Sequence, residues 1–513
     1  MGGAYSTIAA DVLARFQRLQ GKLVTFVTGQ DEHGEKVNAS AETRGLSAQE
    51  HCDDIAEQYK QLWRQLDISY DSFIRTTEGR HAKLVLAIVN RIQQKGDIFK
   101  ANYEGWYCVG CEEYKDEGDM DADHACPTHR APCQLRKEEN YFFALSKYQA
   151  QLEELLEQHP EFIQPASRRN EVLGWVKSGL RDFSISRAST QWGIQIPWDP
   201  SQVLYVWLDA LSGYLSALLP PDAEATLENV VSNGWPANVH IIGKDILRFH
   251  AVYWPAILMS AGLPLPHQVF GHGFLTKDGL KMGKSLGNIL EPQQLLAAYG
   301  PDATRYYFMK QIIFGQDGDF SEERFRDIVN ASLANDLGNL LNRTVNLLQK
   351  SCGGEVRFDV ATAPADHPLR ALIAVKAPGV ASAYEAMRFS DAAEGVTAIS
   401  GRGNLYINDT APWTALKKGS DAEKEEAVAV LCSTLEAVRI VAVLLSPITP
   451  AMAQRIYEQL GYSAEDFRSL SWRDTQWGGL PVGRKLPKAK PVFARLEGDL
   501  VIDRPQEPAL AKS

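Results

Sequence analysis

Residues 281–285 read Lys-Met-Gly-Lys-Ser, within a glycine-rich stretch from Gly271 to Asn288. Lys281 and Lys284 place two ammonium groups in one small volume. Such a pair is costly unless an anion lies between them, and a polyphosphate meets that need. Alone, the pentapeptide also reads as a solvated turn, so its meaning depends on what accompanies it.

A second set of residues points to a metal. Of the seven cysteines, Cys108, Cys111, Cys126 and Cys133 fall within 26 residues, while Cys52, Cys352 and Cys432 stand alone. Cys108-x-x-Cys111, fourteen residues, then Cys126-Pro-Thr-His129 is two short chelating pairs separated by a loop. Tetrahedral zinc is held in this way, and four protein ligands would make the site structural. His124 and Cys133 compete for the last position; His129 has the right offset from Cys126 and is preferred. An odd cysteine count with no visible signal segment points to a reducing compartment and a metal rather than disulfides.

These residues need a scaffold. A chain of 513 residues exceeds one core, and about three domains are expected. Hydrophobic content of 45% with 23% charged is ordinary for a globular protein. No apolar run, Ile440 to Leu445 included, approaches a membrane span. A net charge of −11 argues weakly against nucleic acid on average but leaves room for a local basic face.

Ile8, Val12, Phe16 and Leu19 recur at helical spacing before Gly21. Leu23 to Gly29 reads as a buried strand ending in the polar cluster Gln30-Asp31-Glu32-His33-Gly34. Helix, strand and functional loop in that order predict a parallel α/β sheet. Helices are predicted over 48–66 and 81–96. Residues 97–140 lose periodicity and read as an insertion, with helix returning at 148–157. Strands at 203–207, 239–243 and 268–270 are expected to continue the sheet. From Phe320 to about Leu460 the pattern is helical, and a proline-rich tail covers 481–491.

Together these motifs resemble the methionyl-tRNA synthetases, a class I aminoacyl-tRNA synthetase family, over essentially the whole chain. The matching segments are Thr28 to Gly34, the cysteine cluster followed by Glu139 to Ser146, Tyr205 to Leu211, Gly243 to His250 and Lys281 to Ser285. In the helical half they are Asn335-x3-Asn339-x3-Arg343 and Asn408 to Trp413. The lysine-loop glycine and the cysteine-cluster wording look like the plastid and cyanobacterial branch.

The resemblance implies a Rossmann-like parallel sheet with an inserted zinc-knuckle connective domain, followed by an all-α anticodon-binding bundle. Its parts are expected at 1–96 and 171–290 (the two catalytic halves), 97–170 (the insertion), 291–325 (a stem-contact region just after the lysine loop) and 326–513 (the helical domain and tail). It implies ATP-dependent activation of methionine and transfer to tRNA(Met), with Mg²⁺ accompanying ATP and a structural zinc. No DNA and no membrane are expected as partners. The family's roles map to Asp31 for the substrate ammonium and to Trp207, Ala210, Leu211, Tyr214, His250 and Trp254 for the methionine side chain. Aromatic walls suit a polarizable thioether. Gly243, Asp245, Gly271 and His272 map to adenosine and ribose, and Lys281 and Lys284 to the phosphates. Asn335, Asn339, Arg343 and Trp413 map to the anticodon. Without the resemblance, Trp207, Trp254 and Trp413 read as core residues, His250 as a satisfied core histidine and Asp245 as a helix N-cap.

The family carries a first strand and a His-Ile-Gly-His-like tetrad ahead of its first helix. Met1, Gly2 and Gly3 align with the tetrad's last three positions, so the expectation is a longer natural chain whose extension includes the missing strand. Its setting would be cytoplasmic, or an organelle stroma or matrix if that extension carries a transit peptide. The alternatives are a catalytically impaired tRNA-binding relic and, more remotely, a class I synthetase for cysteine or leucine.

Overall fold

The computed structural model describes residues 1–110, 113–115, 118, 120, 121, 123–127, 130–282, 288–498, 501 and 502. The chain folds as two compact units, each built from separated stretches. One comprises Thr25–Gln61 and Tyr70–His272; the other comprises Met1–Val24, Leu62–Ser69 and Gly273–Ser513. The five-part division read from the sequence is finer than this, and residues 1–24, read as part of a catalytic half, group with the helical half.

In the first unit the strand pairing that carries the α/β pattern is parallel. Val27–Gln30 runs beside Ser72–Arg75. His240–Gly243, Val269–His272 and Ile163–Gln164 form a three-stranded parallel sheet in that order. Helices pack against these strands through one core. Leu84, Val85, Ile88 and Ile92 of the Gly79–Lys95 helix recur at helical spacing and meet Leu208, Leu211 and Leu215 of the Val206–Ser216 helix. Gly96, at φ 78, ends the former in the left-handed conformation that a residue with a Cβ resists.

Several sequence expectations are corrected here. The first strand is short: Val27–Gln30 pairs, whereas Leu23 is fully exposed. The paired strand is hemmed in, since a Cβ on Gly29 would lie 2.5 Å from the Ile74 carbonyl oxygen. The apolar run 203–207 is not a strand of the parallel sheet. Asp199–Leu204 pairs antiparallel with Ser186–Arg187 and Gln195–Ile196, and Trp207 already lies on the Val206–Ser216 helix. A short apolar run does not distinguish a strand end from a buried helix start.

The insertion is also more regular than its composition implied. Ile98–Cys108 and Gln134–Phe143 form a long antiparallel hairpin, flanked by Glu113–Lys115 and Phe183–Ser184. Its two halves are far apart in sequence and mix polar and aromatic residues on both faces, so neither has a clean period.

The second unit is mainly helical. The Gly2–Leu19 helix buries Tyr5, Ile8, Val12, Phe16 and Leu19. Helices at Phe389–Thr410 and Asp421–Leu445 dominate the rest. The 25-residue Asp421–Leu445 helix is, among the described residues, long and apolar enough to cross a membrane, which corrects the expectation that no such run exists. It is a core helix: 89% of its most apolar window is buried inside the protein. A helix apolar all round requires neighbours on every side, and the bundle supplies them.

Candidate functional site

Trp207, Ala210, Leu211 and Tyr214 recur at helical spacing on the Val206–Ser216 helix and share one face. The Trp207 ring stacks on Phe249 with centroids 3.9 Å apart and planes 7° from parallel, and stands edge-on to His250. Phe249 and His250 open a π-helical turn, Phe249–Tyr253, that runs into the Trp254–Ala261 helix. Such wide turns interrupt helices mostly at functional positions. The Tyr214 hydroxyl lies 2.7 Å from His250 Nε2, and His250 Nδ1 lies 3.0 Å from the Ile246 carbonyl. A carbonyl only accepts, so Nδ1 carries the proton and Nε2 accepts from Tyr214. Burial pushes the His250 pKa down to about 4, which keeps the ring neutral.

Trp254 is wholly buried and packs edge-on against Trp235. His240, which the sequence reading left without a role, lies against Tyr214 with ring centroids 4.2 Å apart. Phe249 was likewise missed, although its place beside His250 at a helix start was a usable signal.

Gly243, Asp245, Gly271 and His272 gather at the carboxyl ends of two neighbouring parallel strands, where open α/β sheets bind ligands. A Cβ on Gly243 would sit 2.5 Å from an Asp245 carboxylate oxygen, so a larger residue there would push the Asp245 side chain aside. Asp245 is exposed, and the N-cap position of the Lys244–Ile246 turn belongs to Gly243. The N-cap reading of Asp245 therefore fails, leaving its carboxylate presented at the strand ends.

Asp31 is exposed on a loop that is anchored on its far side. Glu32, fully buried, donates its backbone N–H to Thr76 Oγ1 and accepts from Trp192 Nε1 on its carbonyl, and its carboxylate pairs with Arg75 at 2.7 Å. His33 Nδ1 lies 2.6 Å from Asp209 Oδ2. The other Asp209 oxygen lies 2.6 Å from His81 Nε2, and His81 Nδ1 lies 2.8 Å from Ser216 Oγ. Burial raises the Asp209 pKa, but the hydrogen bonds from His33 and His81 outweigh it and hold the carboxyl below its ordinary value. This cluster was also missed, because its members lie far apart in sequence.

The root of the lysine loop is a tight hairpin, Leu275–Lys277 with Leu280–Lys281. Asp278 and Gly279 both have positive φ, the type I′ geometry that Asp-Gly favours. The Gly279 amide and the Thr276 hydroxyl both donate to Asp319. Lys284 and the Lys281 side chain lie outside the described residues.

Cys108, Cys126 and Cys133 form a buried cluster with Trp106 and Met120 against it. Burial, then the neighbouring Cys108 and Cys126 sulfurs, push the Cys133 thiol up. His124 is stacked on Trp106 with centroids 4.1 Å apart. Cys111 and His129 lie outside the described residues, and among those described no group of three or more Cys, His, Asp or Glu is arranged to hold a metal.

In the helical unit, Asn339 opens the Asn339–Cys352 helix and Arg343 follows one turn later on the same face. Arg343 donates to Asn408 Oδ1 at 3.0 Å and to the Asn404 carbonyl, while its buried Nε has no hydrogen-bond partner. Arg343 therefore joins the two motifs, since Asn408 belongs to the run ending at Trp413. Ala411, at φ 41, breaks the chain between two helices ahead of Pro412. Trp413 is 41% exposed, which excludes the core reading. Asn335 is exposed beside Arg495, at 3.3 Å.

Comparison with known proteins gives the family. Residues 1–134 and 119–345 match the family model described as tRNA synthetases class I (M), and residues 359–504 match the anticodon binding domain of methionyl tRNA ligase. The chain is 55% identical to the chloroplastic/mitochondrial methionine–tRNA ligase of Arabidopsis thaliana, over 97% of this chain and 80% of that one. It is 52% identical to the methionine–tRNA ligase of a Synechocystis strain, over 97% and 95% of the two chains. The Mycobacterium tuberculosis methionyl-tRNA synthetase bound by methionyl-adenylate superposes with a TM-score of 0.90 at 38% identity, covering 96% of each chain. With one family model matched over residues 1–345 and identities of 52–55% over nearly the whole chain, the chain belongs to the methionyl-tRNA synthetases.

Proposed function

We propose that this chain performs the methionine–tRNA ligase reaction of its family with the residues described above. Asp31 takes the α-ammonium of methionine. Trp207, Ala210, Leu211, Tyr214, His250 and Trp254 receive the side chain, with Phe249 and His240 as further walls. Gly243 and His272 admit the adenosine of ATP, Gly271 keeps the strand end open, and the Asp245 carboxylate accepts from ribose hydroxyls.

The methionine carboxylate attacks the α-phosphorus of ATP and pyrophosphate leaves. A terminal ribose hydroxyl of tRNA(Met) then attacks the acyl carbonyl and AMP leaves. The first nucleophile is already ionised and needs no base, so positioning and charge stabilisation carry that step. Lys281 and Lys284 supply positive charge to the phosphates, together with the Mg²⁺ that ATP brings.

Asn335, Asn339, Arg343 and Trp413 read the anticodon CAU. Loop bases are splayed, stacked on an aromatic and bonded along their edges, and the half-exposed Trp413 offers the stacking surface. The buried thiols of Cys108, Cys126 and Cys133 suit zinc as a donor set. With Cys111 or His129 completing the set, the metal would staple the tip of the hairpin. The setting we propose is organellar or cyanobacterial-type translation, following its relatives.

The observation that carries this reading is the Tyr214–His250 hydrogen bond, which keeps a buried neutral imidazole among the rings of Trp207 and Tyr214. A neutral thioether suits such a pocket and a charged side chain does not. Pyrophosphate exchange into ATP, run with each amino acid in turn, tests it. Exchange should depend on methionine; absence of exchange with tRNA binding retained would favour the relic.

A further inference from the structure

The Val206–Ser216 helix has two working faces. One carries Trp207, Ala210, Leu211 and Tyr214. The other, roughly half a turn away, carries Asp209 and Ser216, both buried. Asp209 there holds His33 and His81, each at 2.6 Å, and its sequence neighbours Leu208 and Leu211 are in the core. His33 lies two residues from Asp31 on one loop. A short hydrogen bond therefore ties the loop that presents Asp31 to the helix that forms the side-chain pocket, across 176 positions of sequence.

That bond is more than packing requires. Glu32 alone anchors the loop through Thr76, Trp192 and Arg75, to elements that carry none of the pocket residues. His33 alone among these contacts reaches the pocket helix. Asp209 cannot shift to follow it, because His81 occupies its other oxygen and Ser216 in turn orients His81.

We propose that the His33–Asp209 bond sets the distance between the ammonium-binding carboxylate and the pocket, and so selects the length of the amino acid. His33 is in this sense a positioning residue; it acts through Asp31 and the helix. The inference rests on the assignment of Asp31 and the Trp207 pocket to the amino acid. With the bond intact, the spacing of the two anchors is fixed, and an amino acid one carbon longer or shorter satisfies only one of them. With the bond cut, the loop slides and the penalty for wrong length falls.

The test is pyrophosphate exchange by the full chain with methionine, ethionine (one methylene longer) and norvaline (one heavy atom shorter), comparing kcat/KM ratios. His33→Ala should lower both methionine preferences by roughly tenfold, with the KM for ATP within about twofold of the parent. His33→Asn places an amide N–H where Nδ1 stood and should restore both ratios, which a purely stabilising role would not require. Unchanged ratios in His33→Ala, or parallel losses for methionine and ATP with ratios held, overturn the inference. Should His33→Ala fail to fold, Asp209→Asn, which keeps the shape and removes the charge, must show the same loss of length selection. Trp207→Ala separates the two layers: if it leaves methionine kinetics intact the pocket assignment is wrong, whereas if it abolishes them while His33→Ala keeps its ratios, only the length-setting role is wrong.

Discussion

The Tyr214 hydroxyl donates to His250 Nε2 at 2.7 Å, while the Ile246 carbonyl takes the proton on Nδ1. One tautomer of the neutral ring is thereby fixed. Burial outweighs the bond to the Ile246 carbonyl and holds His250 at about 4, and burial with the neighbouring His250 holds His240 at about 3.

Stability should fall as the pH drops below the unfolded-state value for histidine. Both folded pKa values are depressed, so below about pH 6.5 the unfolded chain binds protons that the folded chain does not. The contribution is complete above that pH and is lost progressively towards pH 4. From pH 6.5 to 5 the loss is about 2 kcal/mol per imidazole. Urea unfolding at the two pH values, in the parent and in His250→Gln, measures it; the variant should lose less on acidification. Equal losses would mean that His250 is protonated in the folded state.

Asp31→Ala should raise the KM for methionine at least tenfold, since it leaves an ammonium without its partner. The KM for ATP should change little. Equal changes for the two substrates would count against the ammonium role of Asp31.

Trp413→Ala should depress tRNA charging strongly, since a stacked base is worth roughly 1–3 kcal/mol. Because Trp413 is 41% exposed, thermal stability should stay nearly unchanged, as should tRNA-independent pyrophosphate exchange. A joint fall in charging, exchange and melting temperature would return Trp413 to a packing role.

Purified protein should contain one zinc per chain by elemental analysis. Cys126→Ser should lose the metal and loosen the hairpin, seen as faster amide exchange over 98–108 and 134–143, because ligand binding and local folding are coupled. Cys111→Ser compared with His129→Ala identifies the fourth ligand: the one whose loss releases the metal is in the set. Retention of metal in Cys126→Ser would exclude the site.

Much of the fold was legible in the residues. The helices Gly2–Leu19 and Gly79–Lys95 follow from apolar spacing and a terminal glycine, and their buried faces are those the spacing marks. The strand end at Gly243 was legible because an apolar run stops abruptly at glycine and polar residues; the strand read over 268–270 runs on to His272. The 203–207 run was not, since strand and helix start look alike over five residues. The insertion was not, since its strands pair over a long separation and neither has a one-sided apolar face.

The chemistry of individual residues was set by the sequence alone: which side chains can hold an ammonium, a thioether, a phosphate or a metal, and in what local order. Local order reaches only as far as a helix turn or a hairpin. Whether Trp413 is core or surface, whether Asp245 caps a helix, and which nitrogen of His250 carries the proton were decided by neighbours distant in the chain. The same holds for the bond from His33 to Asp209. Burial and hydrogen-bond geometry are properties of the packed chain, because they depend on contacts that no stretch of sequence can make by itself.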